Sequence, residues 1–488
     1  MRGRCLILTS LRRLVLVLLA VELLLLSIPL AGAQSTRLAS EIDKTLNSPS
    51  LAQGIQGVLV RSLKDGRVIY EKNSNLAFVP ASNMKLIVSA ACLDLLSADY
   101  RMVTRLLVSG DVTSEGTLTG SLYLVGGGDP VLKVDHLKEM TERIKEIGIK
   151  VIDGDIVADD TLFDDIRLGP NWGWDDEPYY YAAQISALNL NKNVVEVWVR
   201  PGQTAGAPAV ITLNPSTSYM TISNQCITSK AGGDKSITVD RVHGQNIIRV
   251  VGSVPADYKS SVAEELISVD DPTLYTCHVL LEMLQREGVQ IRGQIRRGAC
   301  PQNARLVATH YSPPLSEIVA LLNKPSDNLI AECLLKTLGV RFKGKGTIES
   351  GIEVELQFLK RIGLDMTAMG IVDGSGLSRQ NLVSPKNLVA LLTYMYRHKH
   401  SGIFISSLPI AGVDGTLKNR MKGTDCEKNV RAKTGYLNRV STISGFMKTK
   451  AGEPLVFSIM MNNHLCKNRD AIAVQDKILG ILARMDTQ

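Results

Sequence analysis

The 488-residue chain predicts an α+β protein: one five-stranded antiparallel sheet flanked by helices, with a large β-rich segment inserted into it. Three observations carry that prediction. Near the N-terminus, "GVLVRSLKDGRVIYEKN" gives two alternating runs around Asp65-Gly66, a hairpin signal. At the other end, "EKNVRAKTGY", "STISGFMKTK" and "LVFSIMMNN" read as three strands, followed by the helical pattern "RDAIAVQDKILGILARM". Between them the texture turns to short strands split by turns. Two N-terminal and three C-terminal strands complete one sheet if the middle of the chain is an insertion.

Residues 1–33 read as a signal peptide. Arg2, Arg4, Arg12 and Arg13 precede the apolar run Leu14–Leu30, and small residues Ala31 and Ala33 mark a cleavage site after Ala33. Glu22 within a run already short for spanning argues against an anchor. The mature protein is therefore expected to be exported, in the periplasm or cell envelope, with at most peripheral membrane association. Residues 34–97 carry the hairpin and the helix that begins at "MKLIV". Residues 98–265 form the β-rich insertion, one or two lobes with runs such as "VVEVWVRPG", "KSITVDRV" and "NIIRVVGSVP", and one helical stretch, "VDHLKEMTERIKEIG". Residues 266–488 return to helices and then to the closing strands, so 34–97 and 266–488 are expected to make one discontinuous domain whose sheet can form without the insertion.

Composition is that of a soluble globular protein, 45% hydrophobic and 21% charged. The net charge of +7 contains no basic tract, which excludes nucleic acid as a partner. Apart from Cys5, the seven cysteines are scattered without a C-x-x-C pair, so neither zinc nor any other metal or cofactor is indicated. One or two disulfides fit an oxidising compartment, while Cys92 and Cys333 fall in apolar runs and read as core.

The chemistry is carried by three short stretches. In "FVPASNMKLIV", Ser82 suits a helix N-cap, but Lys85 enters a helix that is apolar nearly all round and needs an anion, a polar cleft or a reason to be neutral. "NKPSDNLIAE" places Ser326-Asp327-Asn328 at the start of an apolar helix, and "VRAKTGYLN" places Lys433-Thr434-Gly435 on a strand. A serine nucleophile requires a base in hydrogen-bond reach, and Lys85 lies one turn from Ser82. Desolvation and a second cation at Lys433 would both lower the Lys85 pKa. Catalytic roles fall to Ser82, Lys85 and Ser326, the last as proton relay to the leaving amine. Asn328, Lys433, Thr434 and Gly435 would bind substrate, Lys433 and Thr434 by holding a carboxylate. The backbone N–H groups of Ser82 and Tyr436 would form the oxyanion hole.

S-x-x-K, S-D-N and K-T-G, in that order and on those elements, are the set used by penicillin-binding proteins and class A β-lactamases. The mature chain resembles over essentially its whole length the class C low-molecular-mass penicillin-binding proteins, the D-alanyl-D-alanine carboxypeptidase/endopeptidases of peptidase family S13 (penicillin-binding protein 4 type). Further matching stretches are "YLVGGGDP", "SALNLNKN", "VDGSGLSRQNLVSP" and "LPIAGVDGTL". The resemblance implies a transpeptidase-like domain of the serine β-lactamase type with β-rich lobes inserted, cleavage of peptidoglycan stem peptides through an acyl-enzyme, and β-lactams as covalent inhibitors. One residue departs from the family: Tyr436 follows K-T-G where Ser or Thr is usual. A serine β-lactamase and a non-catalytic peptidoglycan-binding envelope protein are the rival readings. The first would need a carboxylate to activate the deacylating water, and the second has no need of Ser82, Lys85 and Ser326 together.

Five other features stand outside these motifs. "GGGDP" lacks the Lys-Ser/Thr of a phosphate loop and reads as a tight turn. Asp159–Asp165 lacks calcium-loop spacing, and His398 and His400 sit at a helix end. Trp172 and Trp174 either line the cleft or pack between lobes, and Asp373 with Arg379 forms either an ion pair or a cleft wall.

Overall fold

The computed structural model describes residues 36–51, 53–259 and 261–486, so the stretch 1–33 read as a signal peptide lies outside the described residues. The expected central sheet is present. Its strands are β1 (Ile55–Ser62), β2 (Val68–Lys72), β3 (Arg431–Leu437), β4 (Val440–Lys448) and β5 (Pro454–Asn462), in the spatial order β3-β4-β5-β1-β2, with every pair antiparallel. The chain ends meet at the β1–β5 pair, where Val58 faces Ile459.

The pleat sorts the side chains of this sheet into two cores. Leu59, Val456 and Met460 point into one, packed by α1 (Lys85–Leu95), α2 (Asn328–Lys343), α3 (Ile348–Arg361) and α4 (Pro385–Arg397). Val58, Val60, Phe457, Ile459 and Met461 point into the other, covered by α5 (Asn468–Ala483). Because both faces are covered, β4 and β5 are buried almost throughout, and neither alternates buried with exposed positions.

The insertion has its own core. A mixed five-stranded sheet runs 295–297, 156–159, 122–125, 103–108, 305–311, and the strands around 194–200 and 221–255 form two smaller sheets beside it. Helices Val134–Glu146 and Pro272–Arg286 pack into the same core through Leu137, Ile144, Tyr275, Leu280 and Leu284. Helix Pro272–Arg286 and the strands at 295–297 and 305–311 were expected with 266–488, yet they pair with and pack on the insertion. Apart from Val131, which reaches across to the helical core, the chain rejoins that core at Leu315. The apolar face of Pro272–Arg286 finds its partners in the insertion, which decides its side.

The smaller expectations resolve in physical terms. At "GGGDP" the chain is pressed so close to its neighbours that a Cβ at Gly127 would lie 2.0 Å from the Val103 carbonyl, which requires glycine there. The acids of 159–165 are taken up within the protein: Asp160 pairs with Arg167 and Arg297, Asp164 with buried Lys336, Asp165 with Arg297, and Asp159 accepts from Thr161 and from Cys300 N. The seven described cysteines are free thiols, with Cys92 and Cys333 buried in the core. Among the described residues, no helix is long and apolar enough to cross a membrane.

Candidate active site

Ser82 is not a side-chain N-cap. It lies within a single 3-10 turn, Ala81–Met84, that leads into α1, and its hydroxyl makes no capping bond. The turn is anchored from β4: Thr442 Oγ1 donates to the Pro80 carbonyl at 2.8 Å, and Asn83 Nδ2 donates to Ser444 Oγ at 3.2 Å. Ala81, just before the serine, holds a left-handed φ of 47°, and Ser326 across the cleft holds one of 67°. Such backbone is costly for non-glycine residues and persists where the surroundings enforce it.

Lys85 is fully buried, and its Nζ has three partners: Ser82 Oγ at 3.0 Å, Asn328 Oδ1 at 2.6 Å and the Ser375 carbonyl at 2.6 Å. Burial lowers its pKa to about 8, against the pull of Asp373, Glu332 and Asp327, whose charges favour the ammonium. The expected desolvation is therefore present, opposed by carboxylates that local sequence did not place. Lys433 is also fully buried. Its pKa is held well below the usual lysine range by burial and then by the charge of Lys85.

The S-D-N element starts α2. Asp327 caps the helix by accepting from Ile330 N at 3.0 Å, and Lys192 of the insertion pairs with its other oxygen at 2.8 Å. Asn328 Oδ1 takes the Lys85 bond, while its Nδ2 donates to the Tyr181 carbonyl at 2.6 Å rather than projecting free into the cleft. Ser326 Oγ accepts from Lys433 Nζ at 2.7 Å. On β3, Thr434 Oγ1 bonds Thr416 Oγ1 at 2.6 Å. A Cβ at Gly435 would stand 2.3 Å from Thr442 Oγ1 and 3.0 Å from Ser82 N, so the strand lies directly against the nucleophile turn. Tyr436 is exposed, at the wall of the cleft.

All the site residues taken from the three motifs thus converge, and Ser82, Ser326, Asn328, Thr434 and Tyr436 line a cleft of about 940 Å³. Sequence reading missed Ser375 and Glu332. Ser375 acts through its carbonyl, which no side-chain pattern reports. Glu332 carried a signal: an acid inside the apolar run "NLIAECLL" needs a partner for the same reason Lys85 does. The expected Asp373–Arg379 ion pair is not formed. Asp373 turns inward, accepting from Gly376 N, Ser378 N and Asn381 Nδ2, while Arg379 donates to the Asn438 carbonyl at 2.6 Å on the cleft wall. Trp172 is structural, its Nε1 donating to Asp373 Oδ2 at 3.0 Å, and Trp174 is exposed against His243. The insertion therefore reaches the motif residues and their loop through Tyr181, Lys192 and Trp172.

A serine and a lysine on one turn, an S-D-N helix start facing them and a K-T-G strand closing the cleft define the penicillin-recognising serine hydrolase fold. The profile of the D-Ala-D-Ala carboxypeptidase 3 (S13) family matches residues 38–485. A D-alanyl-D-alanine carboxypeptidase of Actinomadura sp. (strain R39) is 38% identical over 467 residues, 93% of this chain and 86% of that protein. The crystal structure of penicillin binding protein 4 (dacB) from Haemophilus influenzae superposes with a TM-score of 0.80 at 25% identity, covering 91% of this chain and 99% of that one. The same H. influenzae protein complexed with a β-lactam superposes with a TM-score of 0.74 at 24% identity, covering 92% and 99%. The chain belongs to the D-Ala-D-Ala carboxypeptidase 3 (S13) family, as its three motifs implied.

Proposed function

We propose that this protein is a serine D-Ala-D-Ala carboxypeptidase/DD-endopeptidase that cleaves peptidoglycan stem peptides through an acyl-enzyme on Ser82, and that β-lactams acylate the same oxygen. The observation that carries this reading is the bonding of Lys85 Nζ. Asn328 Oδ1 and the Ser375 carbonyl can only accept, so they take both hydrogens of a neutral amine and leave its lone pair for the Ser82 hydroxyl 3.0 Å away. A lysine with a pKa near 8 supplies that neutral form near neutral pH.

In acylation, Ser82 Oγ attacks the carbonyl of the penultimate D-alanine as its proton passes to Lys85. The N–H groups of Ser82 and Tyr436 receive the oxyanion. When the C–N bond breaks, Ser326 hands its hydroxyl proton to the departing amine, and the proton that Lys85 took from Ser82 restores it, leaving Lys85 neutral again. Water then attacks the ester, gives its proton to Lys85, and Ser82 leaves reprotonated. Asn328, Lys433, Thr434 and Gly435 bind the substrate, Lys433 and Thr434 at its terminal carboxylate.

The substrate class and the basic, apolar N-terminal stretch support an exported enzyme of the cell envelope. Sheet membership supports a peptidase domain of residues 36–97 and 312–486, with 98–311 as the insertion. The test is intact-mass analysis after incubation with benzylpenicillin. One adduct is expected, absent in Ser82→Ala; an adduct that survives this substitution would remove Ser82 from the mechanism.

A further inference from the structure

Two acceptors orient the Lys85 amine, and they come from different parts of the chain. Asn328 sits at the first turn of α2, and the Ser375 carbonyl sits in the loop that follows α3. An amine caught between independent elements would hold its lone pair on Ser82 only while both stayed at one spacing. Glu332 spans that gap. It lies one helical turn beyond Asn328 on the same face of α2 and is fully buried. Its Oε1 accepts the N–H of Ser375 at 2.7 Å and its Oε2 accepts the N–H of Gly374 at 3.1 Å.

The next peptide unit is held as well: Asp373 Oδ1 accepts the N–H of Gly376 at 2.7 Å, which turns the opposite end of that unit, the Ser375 carbonyl, onto Lys85. We infer that Glu332 is the positioning residue for the catalytic amine, locking the helix that bears Asn328 to the loop that bears Ser375 so that both acceptors stay on Lys85. This rests on Lys85 being the general base.

Glu332 also sets the charge around that base. Facing Lys85 are Glu332 and Asp327 from α2, Asp373 from the loop and Lys433 from β3. Behind Glu332 stands Glu355 of α3, fully buried, with neither oxygen hydrogen-bonded and its pKa pushed well up by burial. Burial and the charge of Asp373 raise the Glu332 pKa to about 7, against the two N–H bonds.

The test compares the second-order acylation rate of the full chain by a fluorescent penicillin across roughly pH 6–10, where Lys85 titrates, in wild type, Glu332→Gln, Glu332→Asp and Lys85→Ala. Rates are taken from the acylatable fraction only, so the position of the pH profile does not depend on how much protein is folded. In Glu332→Gln the plateau should fall about 10- to 100-fold, since an amide cannot accept from both N–H groups. The midpoint of the rise should also move to lower pH, because a charge that favours the ammonium is gone. Glu332→Asp keeps the charge but falls short of the loop, so its plateau should fall with the midpoint in place. A Gln variant with the wild-type profile, or one whose plateau falls without a shift in midpoint, overturns the inference, the latter leaving only a packing role. Wild-type acylation by Lys85→Ala would instead remove the base itself, a separate failure.

Discussion

Lys433 and Ser326 are joined across the cleft by a 2.7 Å hydrogen bond, from β3 to the S-D-N turn, with the lysine fully buried. On the mechanism proposed above, Lys433 holds the relay hydroxyl as well as a substrate carboxylate. A bound carboxylate favours the ammonium of Lys433 against its burial, and losing that charge-assisted contact of about 1.5–3 kcal/mol predicts a 10- to 150-fold fall in kcat/KM for D-Ala-D-Ala substrates in Lys433→Ala. Cross-linked substrates, whose carboxylate stands farther from the scissile bond, should lose less. Lys433→Arg should recover little, because the closed pocket is built around a compact ammonium and not a planar fork. Equal losses on both substrate types would assign Lys433 wholly to Ser326 and withdraw its carboxylate role.

The pH dependence follows from Lys85. Its pKa is depressed to about 8 by burial, and only the neutral amine accepts the Ser82 proton. The sign is fixed: kcat/KM for acylation rises as pH increases through that value and is lost below it. Burial, not a neighbouring cation, is the main cause, so added salt should move the midpoint little. A midpoint that tracks ionic strength strongly would contradict this account; stopped-flow acylation at two salt concentrations reads it directly.

The contacts from the insertion differ in strength. Trp172 Nε1 donates to the buried Asp373 carboxylate at 3.0 Å, whereas the Lys192–Asp327 pair has a lysine side chain 45% exposed. Trp172→Phe leaves a buried carboxylate one donor short, at a cost of about 1–3 kcal/mol. It should lower Tm by several degrees and slow acylation several-fold. Lys192→Ala removes a contact in the range of about 0–1 kcal/mol and should change acylation by less than about 5-fold. Thermal melts and penicillin acylation rates on the two variants check the order; the reverse order would mean that the cleft loop is held through Asp327.

What could be read beforehand was what is local. Ser82 with Lys85, Ser326 to Asn328 and Lys433 to Gly435 are each short enough for the spacing to carry the geometry, and the hairpin at Asp65-Gly66 fixes two strands of the central sheet. What stayed hidden depended on distant partners. Helix Pro272–Arg286 has an apolar face that suits either core, and only the pairing of 295–297 with 156–159 and of 305–311 with 103–108 assigns it to the insertion. Asp373 and Arg379 stand at ion-pair distance in sequence, yet the carboxylate is consumed by the N–H groups of its own loop. Ser375 contributes a main-chain oxygen, a group every residue carries.

Two glycines of positive φ stand in opposite surroundings. Gly66, in the β1–β2 turn, has φ +81° and open space where a Cβ would go; Gly376, in the loop that carries Ser375, has φ +82° and a Cβ position 1.9 Å from the Ala81 carbonyl. The backbone penalty for alanine is the same at both, about 1 kcal/mol or somewhat more. At Gly66 nothing is added to it, so Gly66→Ala should lower Tm by a few degrees and leave penicillin acylation at the wild-type rate. At Gly376 the new methyl must push main chain, because its neighbour is a backbone carbonyl and not the end of a flexible side chain. The atom it meets belongs to the residue before the nucleophile, and its own N–H is the one Asp373 holds to aim the Ser375 carbonyl at Lys85. Gly376→Ala should therefore displace Ser82 and the base together and cut acylation by more than about 100-fold, because an ångström-scale misplacement is enough for that. Measured on the folded fraction, an acylation rate in Gly376→Ala within a few-fold of that in Gly66→Ala would show that the loop yields, and that the contact with the nucleophile turn does not set the geometry of the reacting serine.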